Sequence, residues 1–211
     1  MGSFRGTGAK AVVFDYGKVI CFPPSAENRG ALLSLTGLSA EALEALERRY
    51  RGEYDRGLCD GKGYYRALLG GAGIFPDDSV LETLAETDAE GWKRLDPATV
   101  ALMRDVKKAG FALGVLSNMP YDFLNWARAA LPLFGELDAA VFSCEAGVIK
   151  PERRIYEILR DRLGCEFGEI VFFDDIPANV DKAAELGIRA FLWNGAAGAR
   201  EALEKLGGAL G

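Results

Sequence analysis

Five short apolar segments, separated by stretches of helical periodicity, constrain the fold of this chain more than any other feature. They are AVVFD at 11–15, FALGVLS at 111–117, AAVFS at 139–143, IVFFD at 170–174 and IRAFLW at 188–193. Short continuous apolar runs of this kind are typical of strands that are buried on both faces. Strands that alternate with helices favour a parallel sheet with crossover helices.

Capping residues and apolar spacing predict three of the intervening helices. Asp96 and Pro97 supply an N-cap and a first helical residue, and that helix ends before a glycine. A second pattern starts at Pro151, and a third covers 177–186 with a glycine directly after it. The helices therefore lie where crossover connections of a parallel sheet are expected.

One long segment interrupts this rhythm directly after the first strand. Ser39 precedes apolar residues at helical spacing, and a second helical pattern surrounds Val80. We predict an α/β fold in which a Rossmann-like parallel sheet core, residues 9–22 and 94–211, carries an inserted small α-helical cap at 23–93. The first ten residues, MGSFRGTGAK, are expected to form a flexible lead-in.

The residue types that are missing narrow the chemistry. The chain of 211 residues has no histidine, which excludes a Ser-His-Asp triad, a Cys-His dyad and a histidine-ligated zinc. Its four cysteines form no CxxC pair, so free thiols are expected. Catalysis must therefore use carboxylates, lysines, hydroxyls, thiols, backbone amides or a recruited metal.

Charge and hydropathy point to a small-molecule partner. The formal net charge is −6 and the pI is about 4.9, so nucleic acid and anionic membranes are not expected as partners. No apolar run is long enough for a membrane span, and no signal-peptide centre is visible. We expect a cytoplasmic protein, monomeric or homodimeric.

Acidic residues end two of the predicted strands. Asp15 follows the first, and Asp174 and Asp175 follow the fourth. In an open parallel sheet, ligands collect outside the carboxyl ends of the strands, so three carboxylates are expected to share a small volume. Like charges this close repel, and a hard divalent cation such as Mg²⁺ is the expected partner.

Hydrogen-bond donors, one of them positively charged, follow the other predicted strands. Ser117 and Asn118 end the second strand, and Lys150 stands just before the helix predicted to start at Pro151. A hydroxyl, a backbone amide and an ammonium suit the oxygens of a transferring phosphoryl group. Together with the acids, they predict a phosphate site.

The sequences FDYGKVI, LSN, the lysine of GVIKPERRIYE, and VFFDDIPANVDKAAELGI resemble the four ordered motifs of haloacid dehalogenase-like hydrolases. The insertion falls where relatives with a small helical (C1) cap carry it. Within that superfamily, the chain is most similar to sugar-1-phosphate phosphatases, and its fourth motif resembles the phosphatase domain of soluble epoxide hydrolases.

The resemblance implies a phosphatase with an aspartate nucleophile. Asp15 would attack phosphorus and form an aspartyl-phosphate. Mg²⁺ would be held by Asp15, by the backbone carbonyl of Gly17 and by Asp175. Asp174 would lie behind them and orient a metal-bound water or Lys150.

The same resemblance assigns the phosphate contacts. Ser117, the Asn118 amide and Lys150 would bind the phosphate, together with the nucleophile loop at Tyr16 and Gly17. Asn179 has two open interpretations, a supporting hydrogen bond behind the metal or an ordinary position in the first turn of a helix.

The chain departs from the pattern at Gly17, where most phosphatases of this family carry a general acid–base aspartate. Three explanations are open: an activated leaving group, such as that of a sugar 1-phosphate; an acid from the cap, with Glu53, Asp55 and Asp60 as candidates; or a catalytically weak protein that binds phosphate or a partner.

A 2-haloacid dehalogenase is the rival enzyme, although paired acids such as Asp174–Asp175 are not expected there. For either enzyme the cap would select the substrate, and a small phosphorylated metabolite fits it best. The candidates for residues that line the substrate-binding cavity, called the substrate wall here, are Tyr54 and Tyr64 of the cap, and Lys18 and Phe22 near the first strand.

Overall fold

The computed structural model describes residues 8–207, so most of the predicted lead-in and the last four residues lie outside the described part. Five strands form one parallel sheet in the order β3-β2-β1-β4-β5. The strands are β1 (Ala11–Phe14), β2 (Ala112–Ser117), β3 (Ala139–Phe142), β4 (Ile170–Asp174) and β5 (Arg189–Leu192). The predicted α/β class and parallel sheet are confirmed.

Ten α-helices accompany the sheet in the described range. They are α1 (Ala26–Thr36), α2 (Ala40–Asp55), α3 (Gly61–Gly70), α4 (Asp78–Gly91), α5 (Pro97–Lys108), α6 (Tyr121–Ala130), α7 (Ser143–Ala146), α8 (Arg153–Leu163), α9 (Pro177–Glu185) and α10 (Ala196–Lys205). Short 3-10 turns lie at Pro132–Glu136 and Phe167–Glu169. Between residues 8 and 207, no helix is long and apolar enough to cross a membrane.

Helices cover both faces of the sheet, which explains its continuous apolar strands. On one face, Val12 and Phe14 pack with residues of α5, α6 and α10. On the other face, Val13 and Phe172 pack with residues of α8 and α9. All four residues of β1 are buried at the centre of the sheet, so its carboxyl end is fixed by packing on every side.

Helices α1 to α4 form the insertion between β1 and α5, and they have an apolar core of their own around Leu43, Leu68 and Leu84. The sequence pattern predicts the regions of α2 and α4 but not α1 and α3. Glycine at three of its ten positions gives α3 a low helix propensity, and Asp60 starts it by accepting a hydrogen bond from Gly63 N. The division into a core and a cap domain stays a prediction.

One predicted boundary is wrong. The helix expected from Pro151 begins at Arg153, because residues 150–152 form a turn and a bend. The backbone N–H and carbonyl of Lys150 both bond to the side chain of Asn118, so they take no part in the helix. Four of the five predicted strands are one or two residues shorter than predicted.

The packing of α8 gives a test of this core. Leu159 is fully buried against the sheet, whereas Leu163 on the same helix is only partly buried. We expect Leu159→Ala to lower the free energy of unfolding by about 2–5 kcal/mol, because it removes buried methyl groups and leaves a cavity. Urea denaturation measures this, and Leu163→Ala is the matched control with a smaller loss. Equal losses would contradict the packing described.

Candidate active site

Two neighbouring strands place two acids side by side. Strands β1 and β4 pair in register, with Phe14 opposite Phe173, so Asp15 and Asp174 occupy adjacent tips. The backbone N–H of Asp15 donates to the carbonyl of Phe173 at 2.9 Å. Both carboxylates are nevertheless buried, with Asp15 6% exposed and Asp174 fully covered, so their charge requires a partner inside the protein.

Lys150 provides that partner. Its Nζ lies 2.9 Å from Asp15 Oδ1 and 2.6 Å from Asp174 Oδ2. A third contact, at 2.9 Å, goes to the carbonyl oxygen of Leu116. These three acceptors match the three donors of an ammonium group. One buried cation therefore joins the ends of β1, β2 and β4.

Asn118 fixes the backbone of Lys150 from the end of β2. Its Oδ1 accepts from Lys150 N at 2.8 Å, and its Nδ2 donates to the Lys150 carbonyl at 3.1 Å. The sequence predicts a role only for the backbone amide of Asn118, and this side-chain contact was not predicted. Ser117 is buried beside it and lines the cavity described below.

Asp174 is held by two further donor groups. Asn179 Nδ2 lies 3.0 and 3.1 Å from its two carboxylate oxygens, and Ile176 N donates to Oδ1 at 2.8 Å. Asn179 itself is buried in the first turn of α9. This geometry matches the first of the two interpretations left open for Asn179, since its side chain supports Asp174.

The charges of this cluster do not balance. Burial, followed by repulsion from Asp174, raises the pKa of Asp15 to about 6 in spite of the Lys150 ammonium. Burial opposes the charge of Lys150, but attraction to Asp15 and Asp174 outweighs it and raises the lysine pKa. A single ammonium between two buried carboxylates leaves negative charge in excess.

Asp175 adds a third carboxylate at the same place. One carboxylate oxygen from each of Asp15, Asp174 and Asp175 lies within 4.8 Å of the other two. Burial raises the pKa of Asp175, against the effect of Lys18, whose Nζ lies 3.5 Å from it. Converging carboxylates with excess negative charge fit a hard divalent cation such as Mg²⁺.

A cavity of about 440 Å³ lies between these strand tips and the insertion helices. Tyr16 and Gly17 line its floor. The Tyr16 N–H donates to Asp15 Oδ1 at 2.7 Å, whereas its buried hydroxyl donates to the carbonyl of Trp92. The indole ring of Trp92 lies over Gly17, where an added Cβ would come within 3.4 Å of it. Trp92 therefore forms part of the cavity wall.

The insertion contributes a charged wall to the same cavity. Arg51 Nε lies 2.9 Å from Asp55 Oδ1, and its NH1 group lies 3.0 Å from Asp88 Oδ2. Tyr54, beside them, donates its hydroxyl to Asp122 of α6 at 3.0 Å. Asp55 and Tyr54 are predicted from the sequence as site candidates, whereas Arg51 and Asp88 are not. Arg51 lies four residues before Asp55 on α2, a spacing that allows an ion pair, but its second partner Asp88 lies on α4 and is not visible from a single sequence.

Of the four predicted substrate-wall residues, Tyr54 and Lys18 line the cavity and two do not. Tyr64 is buried in the core of the insertion, stacked on Tyr54 with ring centroids 4.8 Å apart. Phe22 lies outside the cavity, under the guanidinium of Arg94. Tyr64 and Phe22 are therefore corrected to packing residues.

The chain belongs to the haloacid dehalogenase-like hydrolases, whose family model matches residues 9–187. The membership predicted from the four motifs is thus confirmed, and the protein is a hydrolase of this family. A crystal structure of the HAD family enzyme BT-2542 from Bacteroides thetaiotaomicron, in complex with magnesium and inorganic phosphate, has the same fold. Its TM-score is 0.67 at 17% identity, covering 87% of this chain and 93% of that one.

Curated relatives carry more than one activity in their names. Bifunctional epoxide hydrolase 2 of Mus musculus is 33% identical over 49% of this chain, which spans only 19% of that protein. Sesquiterpene phosphatase astK of Aspergillus oryzae is 26% identical over 86% of this chain and 88% of its own length. (S)-2-haloacid dehalogenase 4A of Burkholderia cepacia is 29% identical over 84% and 80%.

The raised pKa of Asp15 predicts an unusual pH dependence of stability. Its ordinary value is 3.8 and its folded value is about 6, so the folded state binds this proton more tightly than the unfolded state. The associated stability is present below pH 3.8 and is lost as the pH rises to about 6. In chelator at pH 7, we expect Asp15→Asn to raise the free energy of unfolding by about 3 kcal/mol.

Denaturant unfolding of both proteins between pH 4 and 7 measures this gain, which should shrink toward pH 4. Asp181→Asn, at an exposed position on α9, is the control and should change little. A protein destabilised by Asp15→Asn at pH 7 would contradict the charge balance described.

Proposed function

We propose that the protein is a Mg²⁺-dependent phosphatase that hydrolyses a small phosphorylated metabolite through an aspartyl-phosphate on Asp15. The proposal rests on the convergence of Asp15, Asp174 and Asp175, with the ammonium of Lys150 bound to the first two. Phosphoryl transfer requires a nucleophile and ligands for a cation, which carboxylates can provide. It also requires positive charge near the phosphate oxygens, which an ammonium can provide.

The nucleophile is held for an in-line attack. Asp15 Oδ1 is engaged by Lys150 Nζ and by the Tyr16 N–H, which leaves Oδ2 as the oxygen that attacks phosphorus. The P–O bond to the leaving group breaks as the bond to Asp15 forms, and water then attacks the same phosphorus to release phosphate. Ser117 and the backbone N–H of Asn118 bind the phosphoryl oxygens during both steps. Lys150, whose three donors are taken by protein acceptors, stabilises those oxygens through its charge.

Asp15, the carbonyl of Gly17 and Asp175 are the residues that would hold Mg²⁺. The bound cation neutralises charge on the phosphate and on the carboxylates. Asp174 is saturated by Lys150, Asn179 and Ile176 N, so we assign it to orienting Lys150 rather than to the metal. The structural neighbour crystallised with magnesium and inorganic phosphate supports Mg²⁺ as the cation.

The dehalogenase alternative has relatives in its favour, but the site argues against it. A dehalogenase of this family works without metal. In its site, three converging carboxylates would repel one another with no cation to neutralise their charge. The phosphatase names of other relatives point the same way. We therefore assign phosphate ester hydrolysis.

The cavity volume of about 440 Å³ accommodates a small metabolite. A sugar 1-phosphate or another activated ester remains our proposal for the substrate, as suggested by the branch that the motifs resemble. A cytoplasmic location and a monomeric or homodimeric state remain predictions from the sequence.

Phosphate release from a panel of phosphorylated metabolites and p-nitrophenyl phosphate tests the proposed function. We expect Mg²⁺-dependent release that chelator abolishes. Asp15→Asn should lower kcat by at least about 10³-fold, because the nucleophile is lost while the fold is retained. Asp181→Asn is again the control and should keep wild-type rates.

Release that survives Asp15→Asn would contradict the assignment of the nucleophile. Release of halide from 2-chloropropionate without metal, with no phosphate release from any ester, would favour the dehalogenase instead.

A further inference from the structure

The nucleophile loop has no acid that could protonate a leaving group. The position two residues after Asp15 is Gly17, and the ring of Trp92 lies over it. An ester of an ordinary alcohol needs such a proton, since an alkoxide is a poor leaving group. If the enzyme cleaves such esters, the acid must come from another element that lines the cavity.

The three candidate acids predicted from the sequence differ in exposure and in whether they line the cavity. Glu53 is exposed and does not line the cavity, and Asp60 is exposed and caps α3 through Gly63 N. Asp55 is the one of the three in the cavity wall. It is 9% exposed and is the last residue of α2.

A shared hydroxyl fixes Asp55 relative to the proposed phosphate site. Ser143 Oγ donates to the backbone carbonyl of Asp55 at 2.5 Å and accepts from Met119 N at 2.8 Å. Met119 is the residue after Asn118, so a single hydroxyl joins the end of α2 to the loop that carries Ser117 and Asn118. The two hydrogen bonds of Ser143 therefore hold Asp55 close to that loop, where the insertion contacts the sheet.

The charged groups that act on Asp55 are Arg51, Asp88 and Lys150. Burial raises the pKa of Asp55 although Arg51 and Lys150 oppose the shift. A carboxyl group that keeps its proton to higher pH than usual is suited to donate it. The Arg51 contact at 2.9 Å to Oδ1 leaves Oδ2 available to carry the proton.

We propose that Asp55 is the general acid and base of the reaction, taking the place of the acid that Gly17 lacks. This inference rests on the proposed function. As the ester P–O bond breaks and the bond from Asp15 to phosphorus forms, protonated Asp55 gives its proton to the leaving oxygen, which departs as the alcohol. The Asp55 carboxylate then takes one proton from the water that attacks phosphorus, and Asp15 leaves as a carboxylate.

The test compares Asp55→Asn with the wild type on two kinds of ester. For alkyl phosphates, glycerol 1-phosphate and glucose 6-phosphate among them, we expect kcat/KM to fall by about 10²–10⁴-fold. For 2,4-dinitrophenyl phosphate, whose leaving group departs without a proton, it should change less than about threefold. The fall in wild-type kcat/KM toward high pH with the alkyl ester should disappear in the variant.

Asp88→Asn is the matched control, because Asp88 lines the same cavity and binds the same arginine. It should alter both kinds of ester by the same factor. Circular dichroism and thermal unfolding of both variants establish that each is folded.

Equal losses on both kinds of ester in Asp55→Asn would overturn the proposal and leave Asp55 as a structural partner of Arg51. A wild type that cleaves 2,4-dinitrophenyl phosphate but no alkyl phosphate would also overturn it. If the wild type released no phosphate from any ester in Mg²⁺, the proposed function itself would fail, and this inference with it.

Discussion

The contact between the Lys150 ammonium and the two carboxylates of Asp15 and Asp174 is the interaction on which the site depends. It forms where parallel strands end, so the packing of the sheet sets its geometry. Removing Lys150 would leave two buried carboxylates without their cation, which is costly, so this one ammonium ties the stability of the fold to the chemistry of the site. Because one cation cannot balance these acids, the same cluster supports the metal site that we propose.

The insertion completes the site from above, and its contacts with the sheet are polar and specific. Asp122 of α6 accepts hydrogen bonds from the Tyr54 hydroxyl and from Gly61 N, at 3.0 and 2.6 Å. Ser143 holds the end of α2 in the same region. These contacts fix the charged wall of Arg51 and its two acids over the strand tips. Under the proposed function, the insertion would determine substrate choice and proton transfer, and the strand ends of the sheet would provide the phosphate chemistry.

The sequence was most informative where burial leaves a repeating pattern. The five strands, α5 and α9 followed from apolar runs and caps, and the acids at 15 and 174 fell on neighbouring strand tips as expected. Helix α3 was missed because glycines hide its periodicity. Two features of the site depend on tertiary geometry. They are the contact of the Asn118 side chain with the backbone of Lys150 and the part of the cavity wall formed by Trp92. No local pattern in a single sequence encodes such contacts.

The central claim is that Asp15 becomes phosphorylated during turnover. Its most direct test is to quench the wild type with acid during the first turnover of the best phosphate ester in Mg²⁺, and to map the digested protein by mass spectrometry. Our account predicts one phosphoryl group on the peptide that contains Asp15, removed by hydroxylamine as expected for an acyl phosphate. A phosphoryl group on another residue, or hydrolysis with no phosphorylated peptide at any time point, would contradict it.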